Sequence, residues 1–374
     1  QISIYGESFR FVSPVRFKFT DPVKGELYQP LVVVPPVVII PSEDLKISFN
    51  EKESINGTVL IRGMKKGFSG KLTAMDAGTK KTADNVSFSV PDIQVNTRNQ
   101  ANDLSYKAVP PKTDQVIIVG AGNEKEGVYT LDRHEIKYDH IPWINYFHEA
   151  EVAIKKVDLK TFNKKVGYIT GAGDKVPEAL EQMGYEVTVL GDKELAKNNL
   201  DKFDAIITGV RAYNTNEWLN KYYDKLMKYV NEGGNLIVQY NTSNQIGPVR
   251  AKIGPYDFTI TRNRVTDENA AVTFLKPEHP VFNFPNKITA DDFRGWRQER
   301  SIYHGSDTSG KMEKLIAMAD PGEKSDDGSL LVAKYGKGYF TYTGLVFFRE
   351  LPAGVPGAYR LLANIIALNK KKGF

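Results

Sequence analysis

Five histidines and no cysteine set the first limits on the chemistry open to this chain. Without thiols it has no disulfide, no thiolate metal site and no thiol nucleophile. A histidine metal site wants two or three ligands at a helical or strand spacing. His134, His140, His148, His279 and His304 show none among themselves, so no metal ligand is expected. A serine hydrolase of the strand-to-helix kind carries its nucleophile in Gly-x-Ser-x-Gly, and that pattern does not occur. No catalytic residue is assigned, and His279 reads as a hydrogen-bonded structural residue.

Side chains able to bind rather than react cluster in three loops that follow apolar runs: Gly171 to Asp174, Gly209-Val-Arg-Ala-Tyr-Asn214, and Gln239-Tyr-Asn-Thr242. Arg211 directly follows one run. Its planar guanidinium presents a fork to a carboxylate or a hydroxyl-rich ligand, or else ties the loop down by a salt bridge. Gln239 and Asn241 alternate along a strand end and so share a side, as ligand groups or as loop anchors. Gly171-Ala-Gly173 before a helix offers backbone N–H groups to an anion. It lacks the third glycine of a dinucleotide fingerprint, and no phosphate-loop Lys-Ser/Thr pair follows. A tight turn capped by Asp174 is expected, with no cofactor.

A further cluster spans Thr261 to Glu268, Glu278-His-Pro280 and Asp291 to Arg300. Its Arg, Trp, Glu and Gln content suits a polar ligand or protein interface, or a charged network that holds an irregular excursion. The expected ligand-binding set is Asp174, Arg211, Asn214, Gln239, Asn241, Arg262, Arg264, His279, Gln298, Glu299 and Arg300. A second reading makes the chain a hydrolase of sugars or amides, with Asp174, Asp267 or Glu299 working beside His279 as acid and base. A third makes it an assembly module that pairs through exposed strand edges.

The elements that must position these residues divide the chain. Residues 1 to about 160 hold short β-branched runs, such as Val86 to Val90 and Val116 to Val119, set off by Gly, Pro, Asn and Asp, as in antiparallel sandwiches. Residues 1–35 read as the closing strands of one truncated sandwich and 36–160 as an Ig-like sandwich. After Lys160 strand and helix alternate: strand Val166 to Thr170, helix Val176 to Met183, strand Tyr185 to Leu190, a helix near Glu194 to Leu200, and strand Asp204 to Thr208. Helix Asn216 to Asn231 with its Gly233-Gly234 stop and strand Asn235 to Tyr240 follow. The end of the chain reads as strands Leu330 to Ala333 and Tyr339 to Thr343 and helix Tyr359 to Leu368. Such alternation predicts a doubly wound parallel sheet over 161–374, with ligands at the carboxyl ends of its strands.

A net charge of +5, from 50 basic and 45 acidic residues spread along the chain, is no nucleic-acid footprint. The basic run Lys370 to Lys372 reads as a solvated tail. The longest apolar run, Leu31 to Ile40, is interrupted by Pro35 and Pro36 and is too short to span a membrane, so no membrane insertion is expected. The chain opens at Gln1 inside strand-like sequence, which is compatible with a leader removed upstream.

Several long motifs carry a resemblance. Gly167-Tyr-Ile-Thr-Gly-Ala-Gly-Asp-Lys-Val-Pro-Glu-Ala-Leu-Glu-Gln-Met-Gly-Tyr185, Gly209 to Thr215, Gly328 to Ala333 and Leu351 to Arg360 resemble the C-terminal region of large bacterial PIG-L/LmbE-like deacetylases. Asp21 to Tyr28 and Tyr138 to Pro142 resemble the β region preceding it. The resemblance implies a flavodoxin-like domain of the class I glutamine-amidotransferase type, similar to ThuA-like domains. It implies attachment to an N-terminal zinc-dependent deacetylase of N-acetylated sugars as partner within one polypeptide and an extracytoplasmic location, and the favoured reading is a non-catalytic portion that binds a glycan or amino sugar or packs on the catalytic domain. The family's His-Pro-Asp-Asp zinc motif is absent here, since His279-Pro280 runs on into Val281-Phe282. The amidotransferase cysteine is replaced by Tyr240 or Asn241.

Overall fold

The computed structural model describes residues 2–49, 53–197, 199–243 and 252–370. Lys371 and Lys372 of the basic tail lie outside them. The chain forms two compact units, Gln1–Lys156 and Val157–Phe374.

The first unit is built of strands. One sheet runs Asp92–Val95, Phe68–Asp76, Gln115–Asn123, Glu151–Lys156 and Leu45–Ser48, with Gly127–Tyr129 also paired to Gln115–Asn123. A second sheet runs Val37–Pro41, Ile55–Gly63, Ala101–Ala108 and Val86–Phe88. Alternation along Ile55–Gly63 sends Ile55, Val59 and Ile61 inward, where they join Phe68, Leu72, Ile117, Val119 and Val152 from the other sheet in one core. This is a β-sandwich. Residues 2–30 form two hairpins, Ile2–Ile4 with Glu7–Phe9 and Arg16–Asp21 with Gly25–Pro30. A third hairpin pairs Leu131–Ile136 with Ile144–Glu149.

In the second unit a seven-stranded sheet has the order Glu186–Val189, Lys165–Ile169, Ala205–Thr208, Asn235–Gln239, Gly338–Thr343, Leu330–Tyr335 and Glu313–Lys314. The first five strands are parallel and the last two antiparallel to their neighbours. Ala205–Thr208 and Asn235–Gln239 are buried at every residue, which is why their centres read as short apolar runs, Ala205 to Ile207 and Leu236 to Val238. Strand order reverses beside Lys165–Ile169, whose two neighbours are the next strand in sequence and the one after it. That reversal opens a crevice at the carboxyl ends.

Helix Val176–Gln182 carries Pro177 in its first turn, as its sequence predicts. The helix expected over Asn216 to Asn231 is instead a 3₁₀ segment, Glu217–Tyr222, followed by α-helix Tyr223–Asn231. At its start the Asn216 side chain donates to Thr170 O at 2.6 Å, while Leu219 N–H takes Asn216 O, three residues back, in the tighter turn. The α-helix ends as its glycines require: Gly233, at φ +121°, lets Gly234 N–H reach Tyr229 O at 2.9 Å.

Candidate functional site

The carboxyl edge of the parallel strands is assembled around Asp174. Its Oδ1 accepts from the Tyr168 hydroxyl at 2.5 Å and from Val176 N–H at 3.0 Å, and its Oδ2 accepts from Val210 N–H at 3.2 Å. One carboxylate therefore fixes the Gly171–Asp174 turn, the helix start and the next loop together. The turn is close-packed: a Cβ on Gly171 would lie 2.0 Å from Val210 O. Burial, reinforced by the Asp174 charge, pushes the Tyr168 hydroxyl far above its ordinary value, so it stays a donor. Gln239 Nε2 reaches Tyr168 Oη at 3.2 Å and Thr208 O at 3.3 Å, and Gln239 Oε1 has no partner among the described residues.

Beside this network lies an aromatic face. Tyr240 stacks on Tyr303 with ring centroids 5.7 Å apart and planes at 8°, and meets Phe348 at 5.5 Å. All three are half-buried. Arg211 N–H donates to Tyr240 O at 2.8 Å, while Arg211 Nε is buried without a partner among the described residues. Across the face, Arg349 Nε contacts Glu299 Oε1 at 3.1 Å and Arg349 Nη1 donates to Gln298 Oε1. Burial raises the Tyr240 hydroxyl even though Arg211 and Arg349 pull it the other way.

Three residues of this face hold left-handed backbones: Arg211 at φ +59°, Gln298 at φ +70° and Tyr303 at φ +52°. Among the described residues of the second unit only one other non-glycine residue, Asn163, does so. Each such conformation costs on the order of 1–3 kcal/mol and persists only where surrounding structure enforces it. Strain gathered at one polar and aromatic patch is characteristic of sites shaped for use.

The remaining expected site residues have other tasks. Asn241 is buried, its Oδ1 accepting from Tyr213 N–H at 2.9 Å and its Nδ2 donating to Gln239 O at 3.0 Å. Asn214 exchanges two hydrogen bonds with the Thr242 backbone, at 3.1 and 2.9 Å. Both stitch the two loops together. Arg300 is a correction: it is buried, and its guanidinium donates to Ala270 O and Phe293 O, so it clamps backbone instead of meeting a ligand. Arg262 and Arg264 are exposed and line a separate cavity of about 460 Å³ with Asp326.

His279 is hydrogen-bonded, as its structural reading expects, and is not among the residues gathered at this edge. Its Nδ1 accepts from Val281 N–H at 3.2 Å as the cap of the short helix Pro280–Phe282, and burial lowers its basicity. It lines a cavity with Lys334 and Tyr339. Tyr339 pairs with Asn235, whereas Thr343 pairs with Gln239; four strand residues separate the ends, roughly 13 Å. His279 thus sits by the amino ends of the strands and Asp174 at the carboxyl ends. The acid–base set of Asp174, Asp267, Glu299 and His279 is not assembled, and Asp267 closes a local turn by accepting from Asn269 N–H at 2.8 Å.

The sequence reading missed two constellations. His304 Nε2 lies 2.7 Å from Ser301 Oγ and its Nδ1 bonds Asp326 Oδ1, the connectivity of a hydrolytic triad. Ser301 is wholly enclosed, at 0% exposure, so its hydroxyl meets no substrate and the set is a buried clamp. Burial alone would raise the Asp326 carboxyl, but hydrogen bonds from His304, Gly328 N–H and Asn263 outweigh it and hold it below the usual range. The second constellation, Asp132, His134 and His148, brings together two histidines that show no ligand spacing in the sequence. Its signal was Asp-x-His on one strand facing a histidine on the next, invisible when histidines are compared only with one another.

No protein-family model matches the chain, and no curated protein matches it. Among solved structures, a β-galactosidase from Rahnella sp. R3 aligns at 15% identity and TM-score 0.35, over 56% of this chain and 32% of its own. The β-galactosidase from Bacillus circulans sp. alkalophilus aligns at 12% identity and TM-score 0.35, over 56% and 31%. The periplasmic chaperone SfaE aligns at 10% identity and TM-score 0.20, over 32% and 57%. The chain thus spans about a third of the length of the two β-galactosidases. Among the described residues no helix is long and apolar enough to cross a membrane.

Proposed function

We infer that the second unit binds a hydroxyl-rich ligand of the glycan or amino-sugar class at the face formed by Tyr240, Tyr303, Arg211 and Arg349, and does not attack it. The observation that carries this reading is the convergence of three strained residues, Arg211, Gln298 and Tyr303, on one half-buried aromatic face. Stacked tyrosines offer an apolar platform to the C–H face of a sugar ring, while guanidinium and carboxamide groups around it suit hydroxyls. Under the resemblance, the elbow where an amidotransferase keeps its cysteine corresponds to Tyr240 or Asn241, neither of which is a thiol.

Within this reading the second unit is a flavodoxin-like domain of the amidotransferase type. The motif resemblance supports its being the non-catalytic C-terminal portion of an extracytoplasmic PIG-L/LmbE-like zinc-dependent N-acetylsugar deacetylase, with the sandwich as spacer. The parallel order around Lys165–Ile169 supports the fold assignment.

Calorimetric titration with N-acetylated and free amino-sugar oligomers tests the reading. Saturable binding that Arg211→Ala weakens at least tenfold is the expected result. No affinity for any member of the panel leaves only the spacer role.

A further inference from the structure

We propose that the hairpin Leu131–Ile136/Ile144–Glu149 of the sandwich unit carries a binding site for a divalent transition cation of the zinc type, with Asp132, His134 and His148 as its ligands. Strand pairing creates the site. Asp132 stands directly opposite His148 in the antiparallel register, and His134, two residues along, projects from the same face as Asp132. One ligand atom from each lies within 4.8 Å of the other two. Tetrahedral zinc, with bonds of about 2.0–2.2 Å, sets its ligand atoms roughly 3.3 Å apart. Small side-chain rotations close the set.

Three details favour a cation over a plain polar cluster. Asp132 is only 4% exposed, and a buried carboxylate needs a positive or hydrogen-bonding partner on each oxygen. Arg133 N–H serves Oδ1 at 2.6 Å, and Oδ2 faces His134 Nε2 at 2.9 Å. That second contact is not aligned as a hydrogen bond, for the buried Nε2 has no hydrogen-bond partner among the described residues. The nitrogen and the oxygen lie 2.9 Å apart outside hydrogen-bond alignment, a spacing that a shared cation can bridge.

The third ligand is oriented for the same task. His148 Nδ1 donates to Glu149 O at 2.8 Å, which fixes the tautomer and leaves Nε2 as the lone-pair atom. The His134 ring packs against both Tyr146, with centroids 5.0 Å apart, and His148, at 4.3 Å, which holds the two imidazoles side by side; turning them out of this stack brings both in-plane lone pairs to one ion. Two imidazoles and one carboxylate suit zinc or another late first-row divalent ion rather than calcium or magnesium. Three protein ligands leave at least one position to water. The site lies in the sandwich unit and is independent of the glycan reading.

The full chain, stripped by a chelator and dialysed, is titrated with Zn²⁺ in a calorimeter. One equivalent is expected per chain. The affinity of His148→Ala and of Asp132→Asn is expected to fall by more than the roughly 10–100-fold that loss of an outer partner costs. Histidine-ring nitrogen NMR on the unmodified chain gives a readout independent of variant folding: Zn²⁺ should shift His134 and His148 and leave His140, His279 and His304 unmoved. Binding by Asp132→Asn/His134→Ala/His148→Ala equal to that of the parent chain, or zinc-induced shifts at other histidines alone, overturns the proposal.

Discussion

Tyr240, which directly follows the buried strand Asn235–Gln239, lies nearly parallel to Tyr303, its ring centroid 5.7 Å away and its plane tilted by 8°. The pair joins a residue at the carboxyl edge of the sheet to one from the long excursion that follows it. Both rings are half-buried, which leaves part of the pair exposed for contact with a flat apolar partner. Its loss should be felt in binding more than in stability.

Arg211 separates those two quantities. Asparagine tolerates the left-handed backbone that arginine occupies at φ +59°. Arg211→Asn is therefore expected to raise stability by roughly 0.5 kcal/mol while sugar affinity falls tenfold or more. Urea unfolding beside calorimetry measures both, and a variant that loses both would make Arg211 a structural residue.

Arg300 should behave in the opposite way. Truncating it to alanine strands Ala270 O and Phe293 O in the interior. Unpaired buried polar groups cost about 1–3 kcal/mol each, so Arg300→Ala should lower unfolding free energy by about 3 kcal/mol. Arg262→Ala, at an exposed position, should change it by less than about 0.5 kcal/mol.

Glu350 makes stability depend on pH. Burial pushes its carboxyl from 4.5 to about 7, against the Arg297 N–H that reaches both oxygens at 3.0 Å and the charge of Arg300. A carboxyl whose folded value lies above its unfolded one favours the folded state in its protonated form. Its full contribution is present below about pH 4.5 and is lost as pH rises through about 7, on the order of 3 kcal/mol. Glu350→Gln should flatten that part of the curve in urea titrations between pH 5 and 8; curves that stay parallel would place the charge elsewhere.

Ser301 tests the clamp. A fluorophosphonate probe should leave the native chain unlabelled, because the hydroxyl is enclosed, and Ser301→Ala should cost about 1 kcal/mol through its lost bond to His304. Labelling that Ser301→Ala abolishes would turn the clamp into a catalytic triad.

What the sequence disclosed follows from how local each signal is. Buried parallel strands such as Ala205–Thr208 are short apolar runs, and Gly233-Gly234 marks a helix end by chemistry that acts within a few residues. The β-rich, sandwich-forming first unit was legible for the same reason, since alternation along Ile55–Gly63 records its two faces. Arg211 was legible because it follows a strand end. Its partners were not: Tyr303, Phe348 and Arg349 reach Tyr240 from more than sixty residues along the chain, and no local pattern reports such closure. Arg300 misled because a buried arginine bonded to carbonyl groups has the same letter as one awaiting a ligand.

Saturation-transfer NMR with N-acetylated amino-sugar oligomers addresses the binding face most directly. With the aromatic protons of the chain irradiated, saturation should appear on the ring protons of the sugar and vanish in Tyr240→Ala, while the variant keeps the melting temperature of the parent to within a few degrees. Transfer that persists undiminished in Tyr240→Ala, or none in the parent chain, would contradict a sugar-binding face at the carboxyl edge.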